Sequence, residues 1–358
     1  MDSKARPQIL EHLQKSLTVT IYDTRWLPCS AKFVALGAYA RNTGCLQVFE
    51  LDGVNLKLIS ETEAPVRLKC GTFGASSLRE RHLASGNFDG HLQIWDLEMP
   101  HRALTTASAH KGLLNCIDGC GGQFEGYGPP ELATGGKDGC LRVWDIRQPH
   151  TAVAAFEPAA SDQARECWAV AFGNSFNDEE RCLLAGYDNG DVKMFDLRMN
   201  SVRWQANVSN GVCGVQFDRQ DIEMNKFAVT CLESVFKVYD ARTQHPKRGF
   251  ESLTQKAQAA STLWGVKHLP QNRDVFAVCA GDGTLSLYKY CYPDQRQIKD
   301  ANGKAMGVAG TVELLSEKTL SSQPIAAFDW SPDKAGLFCC AAFDQCVRVG
   351  VVTKLQNL

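Results

Sequence analysis

One eight-residue pattern returns seven times along the chain, and it limits the possible folds more sharply than any other feature. Four copies are strong: Gly44-Cys-Leu-Gln-Val-Phe-Glu-Leu51, Gly90-His-Leu-Gln-Ile-Trp-Asp-Leu97, Gly139-Cys-Leu-Arg-Val-Trp-Asp-Ile146 and Gly190-Asp-Val-Lys-Met-Phe-Asp-Leu197. Three are weaker: Ser234-Val-Phe-Lys-Val-Tyr-Asp-Ala241, Gly283-Thr-Leu-Ser-Leu-Tyr-Lys-Tyr290 and Gln345-Cys-Val-Arg-Val-Gly-Val-Val352. A ring recurs at Phe49, Trp95, Trp144, Phe195, Tyr239 and Tyr288, and Gly350 holds that place in the last copy. Self-similarity of this kind marks a repeat architecture, in which each unit buries its apolar face only against a neighbour.

Within each copy apolar and polar residues alternate, which is the period of a β-strand. Asp89-Gly90, Asp138-Gly139, Asn189-Gly190 and Asp282-Gly283 precede four copies, with Asp344-Gln345 a looser match. Such pairs supply the positive φ that tight hairpins need. A short apolar strand precedes each turn, as at 33–36 and 182–185, and another lies upstream, ending near Trp26, Phe73, Phe172, Phe217 or Trp330. A fourth, more polar strand follows, as at 55–60. Four antiparallel strands per unit at this spacing is the pattern of a WD-type blade.

The expected fold is therefore all-β, a seven-bladed WD-repeat β-propeller in one domain over 1–358. Its units fall near 17–61, 62–108, 109–158, 159–208, 209–254, 255–319 and 320–358. The last unit has almost no chain left for an outer strand, so the N-terminal segment 7–13 is expected to fill that slot and close the ring. Closure covers the faces of every blade and leaves only short, protected edges.

Charge and motifs exclude several functions. Net charge is −2, so no global field draws the chain to nucleic acid or to an anionic membrane. No run approaches the roughly 20 apolar residues of a membrane span, and segment 1–17 lacks the apolar core of a signal peptide. A cytoplasmic monomer is expected. The 15 cysteines include no CxxC pair, and neither Cys116 with Cys120 nor Cys339 with Cys340 and Cys346 has a His at ligand spacing. They read as reduced thiols packed as small hydrophobes, with no metal or cofactor. P-loop, GxSxG, HExxH and dinucleotide motifs are absent. The glycine-rich stretch 119–128 runs into Pro129 and Pro130 rather than a helix, so it lacks the amide cradle that phosphates use. The chain reads as a non-enzyme.

One blade carries a full tetrad of the WD type, His110, Thr134, Asp138 and Trp144. A buried His between an Asp and a hydroxyl, with an indole N–H at the end, satisfies polar groups that would otherwise be costly. That makes the set structural rather than catalytic. Blade 2 keeps only Ser85, Asp89 and Trp95.

Propellers usually bind where loops enter the innermost strand. Superposing the units puts Tyr22, Lys69, Asn115, Trp168, Cys213, Trp264 and Ala326 at that mouth, with Phe88, Lys137, Asp188 and Phe343 on the same rim. Tyr22, Lys69, Phe88, Lys137, Trp168, Trp264 and Phe343 form the expected protein-binding rim, because aromatic anchors dominate interfaces. The same rings can also be read as filler between blades. Two irregular segments, 291–310 and 218–225, are either functional loops or disordered.

Stretches outside the generic repeat resemble the Monad family of WD-repeat proteins, cytoplasmic assembly factors for axonemal dynein. They include Pro28-Cys-Ser-Ala-Lys-Phe-Val34, Lys69-Cys-Gly-Thr-Phe-Gly-Ala75, Ala185-Gly-Tyr-Asp-Asn-Gly-Asp191, Asp240-Ala-Arg-Thr-Gln-His-Pro246, His268-Leu-Pro-Gln-Asn272 and Phe343-Asp-Gln345. The resemblance covers nearly the whole chain. It implies a co-chaperone adaptor that joins dynein heavy chains to a prefoldin-like and RuvB-like ATPase co-chaperone complex. Gln258, where the family tends to carry a blade-opening His, and Gly350 depart from the pattern and put the packing of their blades in question. A second reading is a substrate receptor of a cullin-type ubiquitin ligase. Trp144-Asp-Ile-Arg147, Phe195-Asp-Leu-Arg198 and Tyr239-Asp-Ala-Arg242 resemble the Trp-Asp-x-Arg motif of such receptors, although these arginines can equally pair with carboxylates at the blade turns. A third, a propeller hydrolase, needs a metal or an acid pair that the sequence does not offer.

Overall fold

The computed structural model describes residues 6–123, 126–158, 164–258 and 260–358. The seven alternating copies become the third strands of seven four-stranded antiparallel sheets. In blade 1 the strands run, from inside to outside, Thr20–Trp26, Lys32–Ala38, Gly44–Asp52 and Asn55–Ala64. The inner strands of blades 2 to 7 are Leu68–Thr72, Leu114–Cys120, Cys167–Gly173, Val212–Phe217, Leu263–Leu269 and Ile325–Trp330. Each packs against the inner strand of the next blade, and the seventh meets the first. The ring is closed.

Its closure uses both ends of the chain. Strand Gln8–Ser16 is the outer strand of blade 7 and pairs antiparallel with Cys346–Thr353, from Gln8 opposite Thr353 to Ser16 opposite Cys346. It therefore extends past residue 13, where the sequence pattern placed its end. The expected unit boundary at 158/159 and part of the glycine-rich stretch, 124–125, lie outside the described residues, as do residues 1–5.

The hairpin glycines Gly90, Gly139, Gly190 and Gly283 take φ of 81°, 74°, 87° and 82°. At Gly283 a Cβ would sit 1.9 Å from the Ser321 carbonyl oxygen, so no larger residue fits.

In blades 1, 5 and 6 the repeat's ring stacks on a ring of the second strand: Phe49 on Phe33 at 5.3 Å, Tyr239 on Phe227 at 4.8 Å, Tyr288 on Phe276 at 5.8 Å. In blade 7 the residue opposite Phe338 is Gly350. A Cβ there would meet Phe338 Cζ at 2.3 Å. The ring of Phe338 lies over the glycine and stacks instead on Phe328 at 5.2 Å, with Trp330 edge-on at 5.8 Å. The substitution relocates the stack and leaves blade 7 packed. In blade 6, Gln258 is exposed, while Asp282 accepts the Thr284 N–H at 3.0 Å.

The insertion 291–310 is an ordered strap. Gln297–Lys299 and Ala305–Gly307 pair as a small hairpin. Just before it, Arg296 reaches blade 5, donating from Nε to Asp240 Oδ2 at 2.9 Å and from Nη1 to Asn225 Oδ1 at 2.8 Å. His245 Nε2 lies 3.1 Å from Asp300 Oδ2. Segment 218–225 also ties blades together, because Gln220 Nε2 donates to the Gly119 carbonyl at 3.3 Å.

Candidate protein-binding rim

In blade 3 the second and third strands, Glu131–Gly136 and Leu141–Asp145, bring His110, Thr134, Asp138 and Trp144 into one chain of hydrogen bonds. His110 Nδ1 lies 2.9 Å from Asp138 Oδ1 and His110 Nε2 2.8 Å from Thr134 Oγ1, while the Trp144 indole N–H donates to Thr134 Oγ1 at 2.9 Å. The Asp138 carboxyl is pushed up by burial, but His110 and the Lys111 N–H outweigh that and hold it well below the usual range. It is ionised at neutral pH and acts as the acceptor of the pair. The Thr134 hydroxyl beside His110 is fully buried and accepts the indole N–H, so it is closed to a substrate. In blade 2 the Trp95 N–H reaches Ser85 Oγ at 2.8 Å, but Asp89 is exposed and Asn87 caps the turn in its place.

Because neighbouring strands are antiparallel, the starts of the inner strands and the hairpins between second and third strands share one end of the ring. Tyr22 is the centre of a three-ring cluster there, 5.3 Å from Phe88 and 6.5 Å from Phe343. Lys69 Nζ sits 5.4 Å from the Tyr22 centroid and the Arg67 guanidinium 3.9 Å from that of Phe88. Both distances are within cation–π range. Phe343 is 38% exposed.

Across the mouth, the indole N–H of half-buried Trp168 donates to Glu166 Oε2 at 3.2 Å. Its ring and Leu232, itself 37% exposed, converge over Gly211, where a Cβ would meet them at 2.7 and 2.9 Å. Trp264 is 41% exposed and stands over Gly281.

The structure thus brings Tyr22, Lys69, Phe88 and Phe343 together on one arc, and sets Trp168 and Trp264 on another. Lys137, on the blade 3 hairpin, is exposed and joins neither ring cluster. Arg67 and Leu232 are rim members that the sequence reading passed over. Leu232 follows its strand as Phe88 follows the matching strand of blade 2, so the same superposition contains it.

Beneath the mouth lies a channel of about 940 Å³ whose wall carries Asp23, Arg25, Asp118, Lys267 and Asp329. These were also missed, although charge recurs at one register of the inner strands in Arg25, Asp118, Lys267 and Asp329. Asp23 Oδ2 accepts the Gly71 N–H at 2.8 Å, Asp118 Oδ2 that of Phe172 at 2.8 Å and Asp329 Oδ2 that of Trp26 at 2.9 Å. Each bond joins one blade to another. Burial pushes the carboxyls of Asp118 and Asp329 up, and burial together with Arg25 pulls the Lys267 amine down. Groups bound to backbone in this way bolt the ring together.

The inner strands also carry thiols. Cys116 Sγ is 3.9 Å from Cys167 Sγ, and burial pushes the nearby Cys70 thiol up to about 12. Thiols held protonated in this way are poor nucleophiles. Among the described residues no cluster of His, Cys, Asp or Glu is arranged to hold a metal, and no helix is long and apolar enough to cross a membrane.

Two arginines of the Trp-Asp-x-Arg motifs are engaged within the chain, Arg147 with Asp145 at 2.5 Å and Arg242 with Glu223 at 3.2 Å. The model of the WD domain, G-beta repeat, matches residues 102–145, the stretch that holds the complete tetrad. A Chlamydomonas reinhardtii protein named dynein axonemal assembly factor 10 is 68% identical over 358 residues, all of both chains. The Xenopus laevis protein of that name is 55% identical over 353 residues, 99% of this chain and 98% of the relative. The Homo sapiens one is 52% identical over the full length of both. These names do not favour the ligase-receptor alternative. A closed WD-repeat propeller that matches these relatives from end to end belongs to the dynein axonemal assembly factor 10 family.

Proposed function

We propose that this chain is a non-enzymatic adaptor in the cytoplasmic preassembly of axonemal dynein arms. The observation that carries the reading is the match along the entire chain, at 68% identity, to a dynein axonemal assembly factor. In this reading the propeller is a rigid ring and its rim makes the contacts. Tyr22, Phe88, Trp168, Trp264 and Phe343 serve as anchors, with Lys69 and Lys137 supplying charge beside them. The partners implied by the resemblance to the Monad family are the prefoldin-like and RuvB-like ATPase co-chaperone complex and dynein heavy chains. The tetrad of His110, Thr134, Asp138 and Trp144 holds blade 3 and takes no part in binding. The blades cover one another's faces within the single chain, which supports a monomer.

The test is to recover the tagged chain from the cytosol of ciliated cells and identify what accompanies it by mass spectrometry, beside a Trp168→Ala/Trp264→Ala variant. Co-chaperone subunits and dynein heavy chains with the parent, lost from a folded variant, are the expected result. Ligase adaptors alone would overturn the reading. An unchanged partner list in the variant would move the site off these two rings.

A further inference from the structure

We propose that the rim receives an extended acidic segment of a partner protein, laid across the mouth in one fixed direction. This deepens the adaptor reading and rests on it. Its carboxylates lie over blades 1 to 3, and an apolar side chain at its other end enters between the rings of blades 4 to 6.

The argument begins with where positive charge has been left unneutralised. Several cations elsewhere in the molecule are tied to carboxylates, as Arg41 is to Glu63, Arg142 to Asp138 and Arg348 to Asp344. On the blade 1–3 arc, one exposed acid, Asp89, is outnumbered by Arg67, Lys69, Lys111 and Lys137, none of which has a carboxylate partner among the described residues. Two of them rest on ring faces instead, Arg67 on Phe88 and Lys69 on Tyr22. A ring fixes the position of a cation without cancelling its charge, so both heads are held ready for an anion. Arg67 presents a planar fork suited to a carboxylate.

The opposite arc has the reverse character. Trp168, Leu232 and Trp264 stand among Glu166, Asp188, Glu233 and Asp282, with Glu233 and Asp282 exposed, and these acids outnumber the exposed Arg165 beside them. An acidic end placed there would be repelled, whereas an apolar one finds two indoles and a leucine. Charge complementarity therefore selects both the partner and its direction, which is what electrostatics at interfaces chiefly supplies.

The experiment uses the full chain and fluorescein-labelled peptides of about 12 residues, roughly 40 Å when extended. The first carries a run of Asp and Glu at one end and a Leu-Trp pair at the other; a second has Lys for the acids, and a third Ala for Leu-Trp. Fluorescence polarisation should show saturable binding of the first alone. Affinity should fall at least ~10-fold in Arg67→Glu/Lys69→Glu, with a thermal melt unchanged, and by a similar factor in Trp264→Ala. Lys57→Glu, on an outer strand, should leave it unaltered. Rising salt should weaken the interaction steeply.

Equal binding of the lysine peptide, or of a labelled oligothymidylate, would overturn the proposal. So would full affinity in the double variant, or no saturable binding by any peptide. Failure here is separable from failure of the adaptor reading. If cytosolic Arg67→Glu/Lys69→Glu chain still recovers the assembly partners, only the acidic-segment inference falls. If the parent chain recovers none, the adaptor reading itself falls.

Discussion

At the end of the ring away from the rim, Lys226 is fully buried, with its amine 3.0 Å from Asp218, 2.8 Å from Asp274 and 2.7 Å from the Tyr292 hydroxyl. Nearby, the equally buried Arg181 binds Glu131 and the carbonyls of Pro129 and Tyr127. At the rim, Lys69 and Arg67 rest on ring faces and pair with no carboxylate among the described residues. The same residue types thus do different work at the two ends. Where water is excluded, a charge survives only if fully partnered, and its loss is then felt by the fold. Where it is half exposed and unpaired, its loss is felt by whatever binds.

The sharpest way to break this contrast is Lys226→Met. It leaves Asp218 buried beside no cation, and should cost about 3–5 kcal/mol in urea denaturation. Lys226→Met/Asp218→Asn should recover more than half of that, and a single-variant loss below about 1 kcal/mol would mean the far end is not locked by charge.

His268, also at the far end, gives the next effect. Burial, with Lys226 adding to it, pulls its imidazole down to about 3, and its Nε2 has no hydrogen-bond partner among the described residues. Unfolded, the same imidazole titrates near 6.5. Between those values the unfolded chain binds the extra proton, so stability should fall as pH falls, by up to about 1.4 kcal/mol per pH unit. Denaturation of His268→Phe between about pH 6 and 4.5 should be flatter by that slope; parallel curves would show that the imidazole is not buried in solution.

Thr134→Val tests the tetrad, which runs from the rim towards the far end. It strips His110 and Trp144 of their shared hydroxyl and should cost about 2 kcal/mol, with faster amide exchange confined to blade 3. Trp264→Ala should do least to the fold, within about 0.5 kcal/mol in the same denaturation assay. It should nevertheless reduce partner recovery, and a large loss of stability instead would make this indole filler between blades.

Much of the molecule was legible beforehand because a propeller repeats its reasons. Alternation, hairpin glycines and a recurrent ring gave the blades, and the missing outer strand pointed to the N-terminus. Gly350 could not be read this way: its neighbour Phe338 supplies the ring, and that pairing is set by register across two strands. The strap at 291–310 was equally hidden, since Arg296 and Asp240 are far apart in sequence and only blade packing brings them together. At the candidate site the positions came from superposition, which finds Leu232 as readily as Phe88. Superposition says nothing about charge balance, and the division of the rim into a basic arc and an acidic, indole-bearing one needed the structure.

The pairing of Ser16 with Cys346 and of Gln8 with Thr353 also dictates an order of events during synthesis. Strand Gln8–Ser16 leaves the ribosome some 330 residues before its partner Cys346–Thr353. At roughly 5–20 residues per second it waits on the order of tens of seconds for that partner. Until then blade 7 is incomplete, and once blade 6 has been made it and blade 1 face water across an open seam. A nascent chain in this state offers the unpaired edges on which chaperones act. An N-terminal tag long enough to hinder Gln8–Ser16 should therefore lower the yield of closed rings more than the same tag on an interior loop.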